Sequence, residues 1–244
     1  MADRTARAPA GAPPAPLVTS RPLDEYCGLF GLTRAALAAL PGPLLDCPGG
    51  AAALAAEARP LGCLVVAADP VYARPAGEIA ARALAARAAM AAAMEARPDL
   101  YPARRHRRPE RYLRGWDRAR RLFAADRAAH PGQYVAAALP RLPFADGTFA
   151  LTLSGYLLFA YPELFGPRRQ LAALAELVRV TAPGGEVRVH PLYDGEGRRT
   201  ARLDAVRRAL GERRIASEVR VLPPADRGGR AQRVLVLRRA GHPM

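Results

Sequence analysis

The chain has 244 residues, of which 50% are hydrophobic and 24% charged, so it suits one globular domain rather than a disordered protein. All 37 of its basic residues are arginine and outnumber the 22 acidic residues, and the formal charge of +15 attracts phosphate-bearing partners. No apolar run reaches the ~20 residues needed to cross a bilayer, and the three cysteines lack the spacing of disulfide or metal sites. We therefore expect a soluble cytoplasmic protein with no membrane association.

Secondary structure is predicted along the chain from apolar periodicity and from glycine and proline boundaries. Residues 1–20 are rich in Ala, Pro and Gly without periodicity, which predicts a disordered leader before a domain over residues 21–244. Thr33 is a predicted N-cap for a short helix that ends before Pro41. The predicted strands cover residues 43–47, 63–69, 134–138, 149–154, 186–190, 217–222 and 231–238. The other predicted helices cover residues 51–58, 77–96, 109–129 and 199–211, with one from Pro167 to the turn at Pro183.

The order of these elements predicts an α/β architecture. Strands that alternate with helices form a mostly parallel sheet with helices on both faces, which makes a three-layer sandwich. The last two strands have no helix between them and are expected to form an antiparallel hairpin. Residues 73–132, between the second and third of seven strands, form a predicted helical cap.

A pattern of acids and glycines stands at the ends of the first two strands. The first strand ends in Asp46 and is followed by a turn that contains Gly49 and Gly50; the second ends in Asp69. The spacing of 23 from position 46 to position 69 is close to the ~20 residues between a glycine turn and an acid that binds ribose. Because the carboxyl ends of parallel strands meet at one edge, the pattern predicts a nucleotide-type cofactor site.

Four segments, in this order, resemble the class I S-adenosylmethionine-dependent methyltransferase family. They are the acid and glycine turn of residues 44–50, Asp69, the Leu-Pro-Phe-Ala-Asp-Gly-Thr-Phe run of residues 142–149, and the helix and Pro-Gly-Gly turn of residues 174–185. The resemblance implies the Rossmann-like fold and S-adenosyl-L-methionine as the cofactor. It also implies transfer of a methyl group to an acceptor. The favoured acceptor, and hence the expected binding partner, is a small molecule.

The resemblance assigns four residues to the methionine and ribose parts of the cofactor. Gly49 and Gly50 would let the backbone approach the methionine part. Asp46 would order that turn or accept a hydrogen bond from the ammonium group. Asp69 would accept hydrogen bonds from the two ribose hydroxyls, so that these four residues would form one end of the cofactor site.

The remaining assignments concern the adenine, the sulfonium and the acceptor. Tyr72 and Leu139 would contact the adenine, and Ser154 would lie near the sulfonium at the end of the fourth strand. Tyr156 would face the acceptor, and His190 is the candidate general base. No His, Cys and Asp cluster has metal-ligand spacing, so no metal is expected.

The sequence also departs from the family pattern and leaves alternatives open. Pro48 stands at the first glycine of the motif, and Ala138 and Ala150 stand where acids are common. One alternative is therefore a methyltransferase-fold protein without catalysis that binds a cofactor, a partner protein or nucleic acid. A nicotinamide dehydrogenase is disfavoured because the turn lacks the spacing G-x-G-x-x-G.

An arginine-rich run, Arg104–Arg121, supports the nucleic-acid alternative. It contains Tyr112 and Trp116, and arginines that contact phosphate beside aromatic rings that stack on bases are typical of single-strand binding. The competing interpretation is a solvated helical cap whose arginine stems cover apolar surface. The sequence does not indicate in which oligomeric state the protein exists.

Overall fold

The computed structural model describes residues 16–101, 107–194, 202–223 and 231–240. Residues 1–15 of the predicted leader, and Arg104 and Arg105 of the arginine run, lie outside these ranges. The helices are α1 (Leu23–Phe30), α2 (Arg34–Ala38), α3 (Leu54–Ala58), α4 (Ala76–Ala96), α5 (Pro109–Ala129), α6 (Pro167–Val180) and α7 (Leu203–Glu212), besides short 3-10 turns. The strands are β1 (Leu44–Asp46), β2 (Val65–Ala68), β3 (Tyr134–Val135), β4 (Phe149–Gly155), β5 (Thr181–His190), β6 (Ile215–Leu222) and β7 (Gln232–Arg239).

The strands form one sheet in the order β3-β2-β1-β4-β5-β7-β6. β1 to β5 pair parallel with one another, whereas β7 pairs antiparallel with both β5 and β6. The predicted fold class is confirmed, including the antiparallel terminal hairpin. The direction of winding reverses between β1 and β4, which creates a crevice at the carboxyl ends of these two strands.

Two apolar layers enclose the sheet. One layer joins α1 and α3 to the sheet and contains Phe30, Leu54 and Ile79; the other joins α6 and α7 to it and contains Leu174 and Leu210. All three residues of β1 are buried, as expected for a central parallel strand covered on both faces. The central strands are therefore held rigidly, and their ends can position a site.

The insertion between β2 and β3 consists chiefly of α4 and α5, which pack against each other. Met94, Leu113 and Trp116 form a separate buried cluster between the two helices. Arg87 of α4 also bonds both carboxylate oxygens of Asp117 of α5 at 3.0 Å. None of the helices in the described ranges is long and apolar enough to span a membrane.

The largest differences from the predictions are an additional helix, α1, and an earlier start of β5. α1 was not predicted, because its N-cap is Pro22, which offers no capping side chain; packing of Tyr26 and Phe30 against the sheet stabilises it instead. β5 begins at Thr181 rather than at residue 186, since the Pro-Gly-Gly turn forms an irregularity within the strand. The register shifts there: Phe149 of β4 pairs with Thr181, but Leu151, two residues later, pairs with Glu186.

Candidate functional site

A cavity of about 1170 Å³ opens at the carboxyl edge of the sheet. Its lining includes the turn after β1, Asp69 after β2, Tyr156 after β4 and the segment after β5. It thus crosses the point at which the strand order reverses, where open α/β sheets bind ligands. The insertion covers it, with Met90 and Tyr101 among the lining residues.

The glycine turn, residues 48–53, has no free backbone donor at its centre. Pro48 has no N–H group, and each of the next five N–H groups donates to an acceptor of this chain. The acceptors are Ala68 O for Gly49 (3.2 Å), Asp69 Oδ2 for Gly50 (2.9 Å), Thr19 O for Ala51 (3.0 Å), Gly49 O for Ala52 (3.3 Å) and Arg21 O for Ala53 (3.0 Å). A phosphate group needs such N–H groups free, so this turn does not suit the pyrophosphate of a dinucleotide.

Asp69 connects the end of β2 to the glycine turn. Its Oδ2 accepts the Gly50 N–H at 2.9 Å, and its Oδ1 accepts the Val71 N–H at 2.9 Å and caps a 3-10 turn. The side chain lines the cavity although the residue is only 8% exposed, and burial raises its pKa. Each carboxylate oxygen has two lone pairs and has used one here, so Asp69 can still accept hydrogen bonds from a ligand.

Asp46 lies behind the cavity wall at the end of β1. It is 2% exposed, and its Oδ2 accepts a hydrogen bond from the Tyr26 hydroxyl at 2.8 Å. Burial raises the pKa of Asp46 to about 8, with a further rise from the Asp69 carboxylate, and outweighs the hydrogen bond from Tyr26. Tyr26 lines the cavity, so Asp46 can affect a ligand through Tyr26.

Tyr72 lies beneath the glycine turn. Its hydroxyl donates to Gly50 O at 2.9 Å, and its ring packs on Phe123 and Tyr134. A Cβ at Gly49 would stand 2.5 Å from the Tyr72 hydroxyl, so glycine is required there by the protein's own packing. Tyr72 is therefore part of the buried core, and it packs against the glycine turn.

Residues 16–21, here called the N-terminal strap, cross the mouth of the crevice. Thr19 O and Arg21 O accept N–H groups of the glycine turn, and the Leu17 N–H donates to the Tyr161 hydroxyl at 3.1 Å. Most strap residues line the cavity. Residues 16–20, which the sequence assigns to the leader, therefore form part of the site, and Val18 is buried.

A buried ion pair stands between the strap and the insertion. Arg21 bonds Glu25, whose Oε1 also accepts the Tyr112 hydroxyl at 2.8 Å and whose Oε2 accepts the Trp116 indole N–H at 3.1 Å. The Arg21 guanidinium lies over the Tyr156 ring, 3.9 Å from its centroid. This network joins α1, α5 and the end of β4 around the cavity.

Tyr156 has an uncommon backbone conformation. Its φ of 52° is in the left-handed region, which residues other than glycine seldom adopt, and such conformations concentrate at functional sites. Its N–H donates to His190 O at 2.7 Å, and its ring meets the His190 imidazole edge-on at 5.5 Å. Tyr156 lines the cavity, whereas His190 is 1% exposed and lies behind it.

The structure thus brings Gly49, Gly50, Asp69 and Tyr156 to the lining of one cavity. The other candidate residues are buried and do not line the cavity; they are Asp46, Tyr72, Leu139, Ser154 and His190. The Ser154 hydroxyl has no hydrogen-bond partner among the described residues. Leu139 belongs to the apolar layer formed with α6 and α7.

Sequence reasoning missed Arg21, Glu25 and Tyr26. Arg21 and Glu25 stand at i, i+4, a spacing that indicates an ion pair on a helix but not one buried beneath another element. Tyr26 follows in the same short stretch. The signal that could have found them was a compact group of Arg, Glu and Tyr immediately before the first strand.

The arginine run forms most of α5. Arg111, Arg114, Arg118 and Arg121 are exposed and lie on one face of the helix by their spacing of three and four residues. Trp116 is 1% exposed and faces inward. Because Tyr112 also bonds Glu25, the aromatic side chains are not presented beside the exposed arginines as base-stacking requires.

The fold and the crevice define a class. The strand order with its terminal hairpin is that of the Rossmann-like methyltransferase fold, which confirms the resemblance at the level of fold. No family model and no curated protein matches the sequence. Among the described residues, no group of three His, Cys, Asp or Glu side chains could hold a metal ion.

Solved structures similar to this chain include three methyltransferases. One is the 1,6-didemethyltoxoflavin-N1-methyltransferase of Burkholderia thailandensis, crystallised with 1,6-didemethyltoxoflavin and S-adenosylhomocysteine, at 17% identity and a TM-score of 0.47 over 85% of this chain and 76% of that one. The antibiotic-resistance methyltransferase Kmr has 18% identity and a TM-score of 0.42 over 86% and 94%. A SAM-dependent methyltransferase of Aquifex aeolicus has 14% identity and a TM-score of 0.41 over 88% and 94%. Likenesses at this level identify no activity or acceptor for this chain.

Proposed function

We propose that this protein is an S-adenosylmethionine-dependent methyltransferase that acts on a small molecule. The observation that carries the proposal is one cavity that crosses the switch point, with Asp69 at the end of β2 and Tyr156 at the end of β4. Its volume of about 1170 Å³ exceeds the ~300–1,000 Å³ typical of a pocket for one small ligand. It has room for a cofactor and an acceptor together.

The hydrogen-bonding groups at the β1 and β2 ends support this cofactor over a dinucleotide. S-adenosylmethionine carries ammonium and ribose hydroxyl donors, which need acceptors such as Asp69. It has no phosphate, so it does not need the free N–H groups that the pyrophosphate of a dinucleotide needs. Asp69 would accept the ribose hydroxyls, Gly49 and Gly50 would lie against the methionine part, and Asp46 would act through Tyr26. When bound, the cofactor supplies an electrophilic methyl group on sulfur.

The residues at the β4 and β5 ends would position the acceptor. Tyr156 would contact it, because its side chain lines the cavity and its backbone conformation is held by the hydrogen bond to His190 O. We assign His190 a positioning role through Tyr156, since a ring that is 1% exposed behind the wall cannot reach an acceptor. Residues 73–132 would form the cap of the acceptor pocket, and Met90, Tyr101 and Tyr112 already line the cavity.

Calorimetric titration with S-adenosylhomocysteine tests the proposal, with NAD as the control ligand. We expect saturable binding of S-adenosylhomocysteine and none of NAD. Asp69→Asn removes the negative charge and one acceptor, and we expect it to weaken this binding about 10-fold, the effect of one lost charge-assisted hydrogen bond.

Asp146→Asn is the matched control, because Asp146 is an exposed acid that pairs with Arg179 away from the cavity. It should leave the affinity unchanged, and thermal melts would show that both variants fold. An absence of binding to the folded wild-type protein would overturn the cofactor assignment. Equal affinities of wild type and Asp69→Asn would overturn the role of Asp69.

A second candidate function is the binding of nucleic acid by the α5 face. The observation that favours it is the stripe of exposed arginines, which matches the charge of a phosphate backbone. The inward position of Trp116 disfavours recognition by base stacking.

A further inference from the structure

The tyrosines of this chain are concentrated on one cavity. Of the eight tyrosines in the sequence, six line it. These six are Tyr26, Tyr101, Tyr112, Tyr156, Tyr161 and Tyr193. They come from separate parts of the chain, so the fold and not a local repeat brings them together.

Three of these rings follow the strands β4 and β5, whose ends are farther from Asp69 than the end of β1. Tyr156 and Tyr161 follow β4, and Tyr193 follows β5. Tyr101 and Tyr112 come from the insertion. Neighbouring strands are about 4.8 Å apart, so the β4 and β5 ends lie roughly 10–15 Å from the β2 end along the sheet edge. The rings that follow β4 and β5 are thus separate from the proposed ribose site.

The Tyr156 ring is fixed by its surroundings. The Arg21 guanidinium covers one face at 3.9 Å, and the His190 ring meets it edge-on at 5.5 Å. Tyr193 in turn meets the His190 ring edge-on at 6.0 Å. Rings held in this way lose little conformational freedom when a ligand binds, which favours affinity.

We infer that the acceptor of this enzyme is a planar aromatic or heteroaromatic molecule, bound among these tyrosines; the inference rests on the methyltransferase function proposed above. Aromatic rings attract one another edge-to-face and in offset stacks, beyond the gain from burying apolar area. A saturated molecule of the same size gains only from burial. The phenolic oxygens can also accept hydrogen bonds from ring N–H groups and hydroxyls of such a ligand.

Binding of 2-naphthol and of its saturated analogue decahydro-2-naphthol tests the inference, because the two share the hydroxyl group and the carbon skeleton. The naphthol is followed by its own fluorescence and the saturated analogue by competition, both in the presence of S-adenosylhomocysteine. We expect the naphthol to bind at least 10-fold more tightly. Equal affinities would overturn the inference.

Variants locate the binding. Tyr101→Leu and Tyr193→Leu each remove a half-buried lining ring, and we expect each to weaken naphthol binding about 5-fold. Phe144→Leu removes a half-buried ring outside the cavity and should change nothing. Thermal melts establish that each variant folds. Unchanged affinity in both folded tyrosine variants would contradict the inference.

A separate titration with S-adenosylhomocysteine distinguishes the two proposals. Cofactor binding without a preference for naphthol would overturn only the aromatic acceptor. Tyrosine-dependent naphthol binding to a protein that binds no S-adenosylhomocysteine would overturn the methyltransferase function and, with it, the role of the naphthol site as an acceptor site.

Discussion

Asp46 illustrates how the position of a single residue determines its chemistry. It ends a strand flanked on both sides by other strands, so its carboxyl group is removed from water. Its Oδ1 has no hydrogen-bond partner among the described residues, and burial raises its pKa to about 8. In the unfolded chain the pKa of an aspartate is about 3.9. The native state therefore retains a proton that the unfolded state releases at neutral pH.

This difference predicts a pH-dependent stability. Between pH 5 and pH 8 the native state binds more protons than the unfolded state, so the free energy of unfolding falls as the pH rises, by up to about 4 kcal/mol. Asp46→Asn still offers an acceptor to Tyr26 but cannot ionise. We expect urea denaturation to show less than half of that fall in the variant; parallel pH profiles would contradict the buried, protonated carboxyl group.

The glycine turn yields a second prediction at the residue scale. A Cβ at Gly49 would lie 2.5 Å from the Tyr72 hydroxyl and 2.8 Å from Ala67 Cβ. Gly49→Ala is therefore expected to destabilise the protein by about 2–3 kcal/mol through overpacking. Tyr72→Phe in the same chain removes one of the clashing atoms and should recover part of the loss.

Gly77 provides the matched control for that substitution. It lies in the first turn of α4 with no atom within 4 Å of a built Cβ. Gly77→Ala should be neutral or stabilising by up to about 1 kcal/mol, because alanine favours the helix. Chemical denaturation compares the variants. Equal effects at positions 49 and 77 would show that the turn is not tightly packed.

At the scale of elements, α1 holds the insertion over the sheet. The ion pair between Arg21 and Glu25 is almost completely buried. Glu25 also accepts hydrogen bonds from Tyr112 and Trp116 of α5. Buried charges are tolerated only when they are paired and hydrogen-bonded. The position of α5, and so the depth of the cavity, depends on this carboxylate.

Removal of that charge gives the third prediction. Glu25→Gln leaves the Arg21 guanidinium buried without its counter-charge and is expected to reduce the free energy of unfolding by about 3–5 kcal/mol. Asp24→Asn is the control in the preceding position, because Asp24 pairs with Arg34 in solvent and its loss should have no measurable effect. Comparable losses from the two substitutions would contradict a buried role for Glu25.

At the scale of the whole molecule, the charge of +15 is spread over many exposed arginines, and the stripe on α5 is one group of them. A positive field of this kind attracts any polyanion and weakens with salt. Weak binding of RNA would therefore not by itself establish a nucleic-acid function.

Two sets of substitutions distinguish a general field from a specific surface. One variant changes Arg111, Arg114, Arg118 and Arg121 of α5 to Gln; the other changes Arg141, Arg168, Arg208 and Arg213, exposed elsewhere, to Gln. We expect both to weaken the binding of single-stranded RNA equally, and the salt dependence of binding to fall equally. A loss confined to the α5 variant would instead support a nucleic-acid interface there.

Local signals were sufficient for much of the fold. The predicted bounds of α5 match because Pro109 marks its start and its apolar residues follow the helical period. The alternation of strands and helices predicted the sheet and its terminal hairpin, because crossover connections favour parallel strands and a short link favours a hairpin. α1 was missed because packing, and not capping, stabilises it.

The sequence by itself also determined that Asp46, Gly49, Gly50 and Asp69 stand at adjacent strand ends, since parallel strands bring their carboxyl ends to one edge. Only the tertiary structure decided how these groups are used. The donors of the turn are taken by Thr19, Arg21 and Asp69, and Asp46 is enclosed behind Tyr26. Hydrogen-bond partners and burial depend on residues distant in the chain, which meet only when the sheet, the strap and the insertion have packed together.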